Sequence, residues 1–357
     1  MEAGLQSGNE NGLPASAARI AVVIPARNEA EVIGQSLTSL LGQSGVETLH
    51  IFVVDDNSTD GTGDMVRRVA AQSLRGECLT VISGRPLPAR WSGKLWAVQQ
   101  GVEQALAMHP DFLLLTDADI EHAPDNIHRL VRIAQDGHYD LASFMVKLHC
   151  RSLAEKLLIP AFVFFFFLLY PPRWIRDPRR KTAGAAGGCM LIRPEALEHA
   201  GGIAAIRQEI IDDCALARMV KRSGGRVWLG LTADTHSLRP YNSFGEIERM
   251  IARTAFNQLR HSTWLLAATV VGMLVVFLLP LVLLVSGSLT LAIIGGLAYL
   301  LMSAAFLPMI RFYRISPLWA LTLPFSAVFY VVATVHSALK YWSGKGGEWK
   351  GRAQDKG

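Results

Sequence analysis

Over residues 20–146, short apolar, β-branched runs alternate with stretches whose apolar positions recur at helical spacing. Residues 20–24, 50–54, 80–83, 112–116 and 140–145 predict strands, and 29–41, 60–71, 94–107 and 124–134 predict the helices between them. The strand runs are apolar almost throughout, as in strands buried on both faces. The pattern therefore predicts an α/β domain with a mostly parallel sheet and helices on both faces. Ligands of such sheets bind beyond the carboxyl ends of the strands, and the acidic clusters of this chain fall there.

The rhythm breaks at residues 157–170, which are nearly all apolar and carry Phe164 to Phe167 in a row. Pro171, Pro172 and the cations Arg173, Arg176, Arg179, Arg180 and Lys181 follow. The run is short of the roughly 20 residues that cross a bilayer, so it predicts an interfacial segment over about 152–181, anchored by those cations, in preference to the alternative of a buried core helix. After a second α/β-like stretch (188–231), residues 243–261 predict an amphipathic helix. Phe244, Ile247, Ile251, Ala255 and Leu259 line one side of it, and Arg249 and Arg253 sit four apart on another.

Three longer apolar runs, 264–285, 289–310 and 318–338, predict membrane-embedded helices. The expected organisation is a disordered leader (1–18), a catalytic domain (19–261), a membrane domain (262–342) and a basic tail (343–357). Arg260, Arg311 and Arg314 mark one side of the membrane, and the positive-inside rule would also hold Lys340, Lys345, Lys350, Arg352 and Lys356 in the cytosol. Three full crossings cannot satisfy that, so either one run is re-entrant or the rule is broken.

Composition adds to this picture. Half of the 357 residues are hydrophobic, and the excess is concentrated toward the C-terminus. The net charge is +5, but the cations flank apolar segments instead of forming a stripe, which points to a membrane surface and away from nucleic acid. Cys78, Cys150, Cys189 and Cys214 are far apart, without metal-ligand spacing, and fit a reducing compartment. The first 18 residues are polar and lack the apolar core of a signal peptide. The expectation is a multi-pass protein of the cell inner (plasma) membrane with a cytosolic catalytic domain.

The candidate chemistry sits at the strand ends. Asp117-Ala118-Asp119 follows the 112–116 run, so both carboxylates can reach a divalent cation or its nucleotide, and Mg²⁺ or Mn²⁺ suits such oxygen ligands. Asp55-Asp56-Asn57-Ser58-Thr59-Asp60-Gly61 follows the 50–54 run. Its residues suit a turn and a helix cap, and Asp56 could also accept hydrogen bonds from a base or ribose. Pro25-Ala26-Arg27-Asn28-Glu29 closes the first strand, with Asn28 or Glu29 available as a cap. Trp91-Ser92-Gly93-Lys94 opens a helix, a natural diphosphate site. Asp212-Asp213 suits the first turn of a helix and could also supply a general base. Neither a phosphate-binding Gly-x-x-x-x-Gly-Lys loop nor a Gly-x-Gly-x-x-Gly turn after the first strand occurs, which counts against phosphotransfer and dinucleotide redox chemistry.

In this order and spacing, these motifs resemble the family-2 glycosyltransferases, inverting enzymes with the GT-A fold, over most of residues 20–260. The resemblance implies that Asp56 contacts the base, that Asp117 and Asp119 engage ribose, metal and diphosphate, and that Asp213 is the base. It places Pro25, Arg27, Glu29 and Lys94 with the donor. Asp212 stands where the family usually has Glu. Gly187-Gly188-Cys189-Met190-Leu191-Ile192-Arg193 resembles the segment near the acceptor, so Gly188, with Arg249 and Arg253, falls on the acceptor or diphosphate side. The Gln-x-x-Arg-Trp signature of processive members is replaced by Arg249-Met250-Ile251-Ala252-Arg253-Thr254.

Arg90-Trp91-Ser92-Gly93-Lys94-Leu95-Trp96-Ala97 and the C-terminal apolar runs look most like the hopanoid-biosynthesis-associated subfamily. That subfamily typically begins with an additional apolar segment, absent here. The implied reaction moves a sugar from a nucleotide-diphosphate donor to a membrane lipid hydroxyl. The alternatives are transfer to a polyprenyl phosphate, or an inactive membrane scaffold that keeps a nucleotide-binding fold.

Overall fold

The computed structural model describes residues 16–344, 348–349 and 352–353. The leader expected over 1–18 lies outside the described residues up to residue 15, and residues 16–18 already belong to the first strand. Most of the expected basic tail is likewise outside them. The chain divides into two compact units. The first holds Tyr170–Arg239 and all that precedes His149, with the tail from Trp349; the second holds His149–Leu169 and Pro240–Glu348.

The first unit is built on one sheet. Its strands are β1 (Ser16–Ala26), β2 (Val46–Asp55), β3 (Leu79–Ser83), β4 (Phe112–Leu115), β5 (Ile120–Glu121), β6 (Leu141–Lys147), β7 (Met190–Ile192) and β8 (Val227–Ser237). Their spatial order is β3-β2-β1-β4-β7-β6-β8-β5. The β1–β2, β2–β3, β1–β4 and β6–β8 pairs are parallel, as the apolar runs predict. The short β7 enters the middle antiparallel to both β4 and β6. Three residues carry too little pattern to reveal it.

Helices α1 (Ile33–Leu41), α2 (Thr62–Gln72), α3 (Gly93–Leu106) and α4 (Asn126–Asp136) lie between the strands. Ile20, Val22 and Ile24 of β1 pack into one core with Ile33, Leu37 and Leu40 of α1, Val66 of α2 and Ile127, Leu130 and Val131 of α4. Because side chains alternate across a strand, Val23 faces the other way, where α3 covers it. There Gly101 comes so close that a Cβ would stand 2.4 Å from Val23 Cγ1. Both faces are therefore covered. Helix α1 starts four residues later than its pattern predicts, because residues 29 and 30 are drawn into the neighbouring loop: the Glu29 amide donates to Thr62 Oγ1 and the Ala30 amide to Asp60 Oδ2.

The second unit opens with α5 (Leu153–Leu169), after which the chain returns to the first unit through α6 (Pro172–Arg176), α7 (Pro194–His199) and α8 (Asp212–Arg222). It resumes with α9 (Phe244–Gln258), α10 (Thr263–Met273), α11 (Leu279–Leu284), α12 (Leu289–Phe312) and α13 (Leu323–Trp342). A single π turn, Leu274–Leu278, joins α10 to α11 just before Pro280, whose ring nitrogen cannot donate to the helical ladder. Helix α13 fastens α5 from outside: Ser326 Oγ donates to the Leu157 carbonyl (2.8 Å) and Tyr330 Oη to that of Leu158 (3.0 Å), beside Pro160. The buried Glu155 carboxylate accepts from the amides of Arg151, Ser152 and Tyr241 and faces His149 Nδ1. One carboxylate thus holds both points at which the chain enters this unit.

Among the described residues, four helices are long and apolar enough to cross a membrane: Leu153–Arg176, Thr263–Leu284, Leu289–Phe312 and Pro317–Trp342. The last three match the three predicted runs. Their outer positions are apolar and open, with Leu301 72% and Leu318 72% exposed, as lipid-facing side chains are. The first is longer than its apolar run, because the helix begins at Leu153 and continues through α6. Length alone does not make it a crossing. Strand β6 precedes it, β7 and β8 follow it, and all three lie in one sheet, so the chain leaves and re-enters on the same side of any bilayer.

The close approach of α3 to the sheet yields a stability prediction. Gly101→Val must push Val23 or Val54 aside and should cost about 1–3 kcal/mol. Thermal unfolding of the full chain in detergent would register this as a midpoint several degrees lower; an unchanged midpoint would contradict the packing.

Candidate active site

Three separate segments converge on Lys94. Ser92 caps α3, accepting from the Leu95 amide, which places Lys94 in the first helical turn. There the helix dipole disfavours a cation, and carboxylates compensate. Lys94 Nζ lies 2.9 Å from Asp117 Oδ1, just beyond β4, and 3.1 Å from Asp212 Oδ2, at the start of α8. Asp213, next in α8, receives the Gly187 amide on Oδ2 (2.9 Å) and its neighbour Cys214's amide on Oδ1 (2.6 Å). Gly187 also closes the gap between the two sets: a Cβ there would lie 3.5 Å from Asp213 Oδ2 and 3.7 Å from Lys94 Nζ. Lys94, Asp117, Asp212 and Gly187 border an open cleft whose floor is apolar, with Leu95, Val98, Met190, Ile203, Ile206 and Leu216.

The electrostatics follow from burial and crowding. Burial opposes the Lys94 charge, but Asp117, Asp212 and Asp213 together outweigh it and raise the ammonium above its ordinary range. Burial likewise holds the Asp117 carboxyl up in spite of Lys94, with Asp119 and Asp212 adding to the rise. Burial and then the Asp212 charge push Asp213 up to about 6.

A second cluster holds Asp119. Arg239 Nε lies 3.1 Å from Asp119 Oδ2, Ser237 Oγ donates to the same oxygen at 3.2 Å, and Arg239 Nη2 forks onto both Glu29 oxygens at 2.8 and 2.7 Å. Pro25 and Arg27 flank the end of β1. Arg27 Nη1 donates to the Asp56 carbonyl (2.5 Å) and lies 3.6 Å from the buried Asp56 Oδ2. The turn-and-cap reading of the two polar loops also holds. Asn28 takes a left-handed φ of 53°, which its short polar side chain tolerates, and its Oδ1 receives the Thr59 amide while its own amide donates to Ser58 Oγ.

The structure therefore brings Lys94, Asp117, Asp212, Asp213 and Gly187 together, with Asp119 and Glu29 joined through Arg239. Gly188 lies one residue into the same turn, packed so that a Cβ would stand 3.1 Å from Val146. Arg249 and Arg253 are on α9 in the second unit. Arg239 and Ser237 escape the pattern reading. Their one signal is a lone Arg at the end of a strand before Pro240, which a single sequence cannot distinguish from a surface cation.

Among the described residues no group of three or more His, Cys, Asp or Glu side chains could hold a metal by itself. A Mg²⁺ or Mn²⁺ site of the type completed by substrate phosphates needs only one or two carboxylates, and Asp117 and Asp119 supply those. The charge balance fits too. Glu29, Asp117, Asp119, Asp212 and Asp213 outnumber Lys94 and Arg239, so the cluster can accommodate a further cation.

Curated proteins, a solved structure and a family model resemble this chain. Against the undecaprenyl-phosphate 4-deoxy-4-formamido-L-arabinose transferase of Serratia proteamaculans, the chain is 31% identical over 122 residues, 34% of this chain and 35% of that one. Against the protein of the same name from Pseudomonas syringae pv. syringae it is 33% identical over 125 residues, 33% of each. The chain thus spans about a third of the length of these curated relatives. Among solved structures, the mannosyltransferase PcManGT from Pyrobaculum calidifontis, in complex with GDP-Man and Mn²⁺, superposes with a TM-score of 0.58 at 18% identity, covering 93% of this chain and 90% of that one. That likeness gives the fold, GT-A, as the motif order implies. Residues 21–201 match the model of glycosyl transferase family 2, and since that is half of the sequence, the chain belongs to this family of glycosyltransferases.

Proposed function

We propose that this enzyme transfers a sugar from a nucleotide-diphosphate donor to a membrane lipid. The Lys94–Asp117–Asp212 junction carries the reading: one cation bridges the end of β4 and the start of α8, where Asp213 follows Asp212, beside one cleft. In this reading Asp56, with Arg27 beside it, receives the base, and Pro25, Glu29, Asp117 and Asp119 border the ribose and diphosphate. Lys94 lies within reach of the departing phosphates, a fixed charge placed where negative charge develops. Asp117 and Asp119 would hold a Mg²⁺ or Mn²⁺ ion, which when bound would supply Lewis-acid neutralisation of the same diphosphate. Asp213 takes the proton of the attacking lipid hydroxyl, its carboxylate aimed by the Gly187 and Cys214 amides. Gly188 belongs to the acceptor or diphosphate side.

The four apolar helices support a lipid acceptor and a membrane location, which we take to be the cell inner membrane with the first unit in the cytosol. The resemblance of residues 90–97 to the hopanoid-associated subfamily favours a hopanoid-type lipid. A second reading has its own observation: the relatives above are named as undecaprenyl-phosphate sugar transferases. A phosphate acceptor is already anionic and needs no base.

Two predictions separate these outcomes. Membranes carrying the full chain, given radiolabelled UDP-glucose or GDP-mannose, should place label in extracted lipid. Asp213→Asn should lower this by a factor of about 10²–10⁴ while keeping nucleotide-sugar affinity, and Asp119→Ala should lose both. Full turnover of a polyprenyl phosphate by Asp213→Asn would overturn the hydroxyl reading in favour of the second.

The pH profile is the other prediction. A base whose carboxyl is raised to about 6 carries its proton below that pH and is free above it. The kcat/KM profile should therefore rise through an apparent pKa near 6 and level off. Asp212→Asn removes a neighbouring negative charge and should move the rise to lower pH; a rise that stays put would contradict the coupling.

A further inference from the structure

Beneath the cleft, a chain of buried polar side chains joins its donor and base sides. Thr116 stands between β4 and Asp117, and its Oγ1 lies 2.7 Å from the Gly188 carbonyl and 3.1 Å from His122 Nε2. His122 Nδ1 in turn lies 3.1 Å from Asn126 Nδ2, which is 3.3 Å from Cys189 Sγ. Thr116, His122, Asn126 and Cys189 are all buried.

The direction of every bond is fixed by counting protons. A carbonyl only accepts, so the single Thr116 hydroxyl proton goes to Gly188. Thr116 must then accept from His122, which puts the imidazole proton on Nε2 and leaves Nδ1 to accept from the Asn126 amide. An imidazolium would turn a second donor toward Asn126, and burial accordingly lowers the His122 pKa to about 3. The ring is a neutral, single-tautomer link across the working pH range.

Both ends of the link reach the site. His122 lies three residues beyond Asp119. Gly188, at the other end, follows Gly187, whose amide holds Asp213. The turn is gripped from its other side by Ser143, whose Oγ accepts the Ala186 amide (2.9 Å) and donates to the Ala186 carbonyl (3.1 Å). The Thr116 hydroxyl and both His122 ring nitrogens are paired, whereas Asn126 Oδ1, beyond them, lacks a partner among the described residues, and it is the paired buried groups that fix a geometry. Here the fixed element is the 186–188 turn, and with it the distance between the Asp117 side and Asp213.

We propose that Thr116 and His122 are positioning residues, a hydrogen-bonded strut that holds the Gly187–Gly188 turn so that Asp213 meets the acceptor opposite the bound donor. The inference rests on the reading of Asp213 as the base.

The test uses the full chain in membranes, with transfer from radiolabelled UDP-glucose or GDP-mannose to lipid and a separate measurement of donor affinity. Thr116→Val keeps the volume and removes the hydroxyl. It should lower kcat by about 10²-fold, the cost of a misplacement on the order of 1 Å, with the donor Kd unchanged. Thr116→Ser, which restores the hydroxyl, should recover kcat. His122→Gln keeps a donor near the Nε2 position and should stay close to wild type, and His122→Leu should match Thr116→Val. If Thr116→Val fails to fold, as loss of donor binding would reveal, the His122 pair decides on the same criterion. Wild-type kcat in Thr116→Val or His122→Leu, or equal losses in the Val and Ser variants, would overturn the strut. Those results are distinguishable from failure of the base assignment, in which Asp213→Asn itself retains transfer.

Discussion

The site depends on one ammonium group. Lys94 stands at the start of α3, where the dipole works against it, and is held by Asp117 from the end of β4 and Asp212 from the start of α8. Each of the three segments would be unfavourable without the other two. Two half-buried carboxylates facing each other repel, and a lone cation in the first turn of a helix is misplaced. Taking one partner from such a set leaves the remaining charge uncompensated. The same crowding lifts Asp213 into a range where it can exchange protons near neutrality. The placement of Asp117 and the raised Asp213 carboxyl therefore share a cause.

Arg239 has a comparable role beside Asp119. It is the last residue of the first unit before the chain enters the second, and its guanidinium reaches back more than a hundred residues to join Asp119 to Glu29. A planar fork suits this pairing better than a lysine would. The loops after β1 and β2 are laced together by Asn28, Ser58, Thr59, Asp60 and Thr62, so these residues serve as caps and also shape the rim beside Asp56.

Much of this was legible in the chain. The 112–116 run, buried on both faces, announced β4 and put Asp117 and Asp119 at a strand end; Ser92 before Gly93 announced the helix that carries Lys94. The apolar runs from Trp264 announced the last three long helices. What stayed hidden was set by contacts distant in sequence. The three-residue β7 exists because β4 and β6 flank it. Arg239 acquires meaning only from Glu29 and Asp119, and His122 resembles any core histidine until Thr116 and Gly188 stand on either side of it. The segment 153–176 shows the converse. Its length suits a crossing, and the continuity of the sheet on either side of it forbids one.

The central claim is that this carboxylate-rich cleft admits a nucleotide diphosphate only together with a divalent cation. The direct measurement is calorimetric titration of the full chain in detergent with UDP-glucose and GDP-mannose, in Mn²⁺ or Mg²⁺ and again in excess EDTA. Saturable binding of at least one donor that requires the metal, and that vanishes in Asp119→Ala, is the predicted result. Equal affinity with and without the metal would contradict the account.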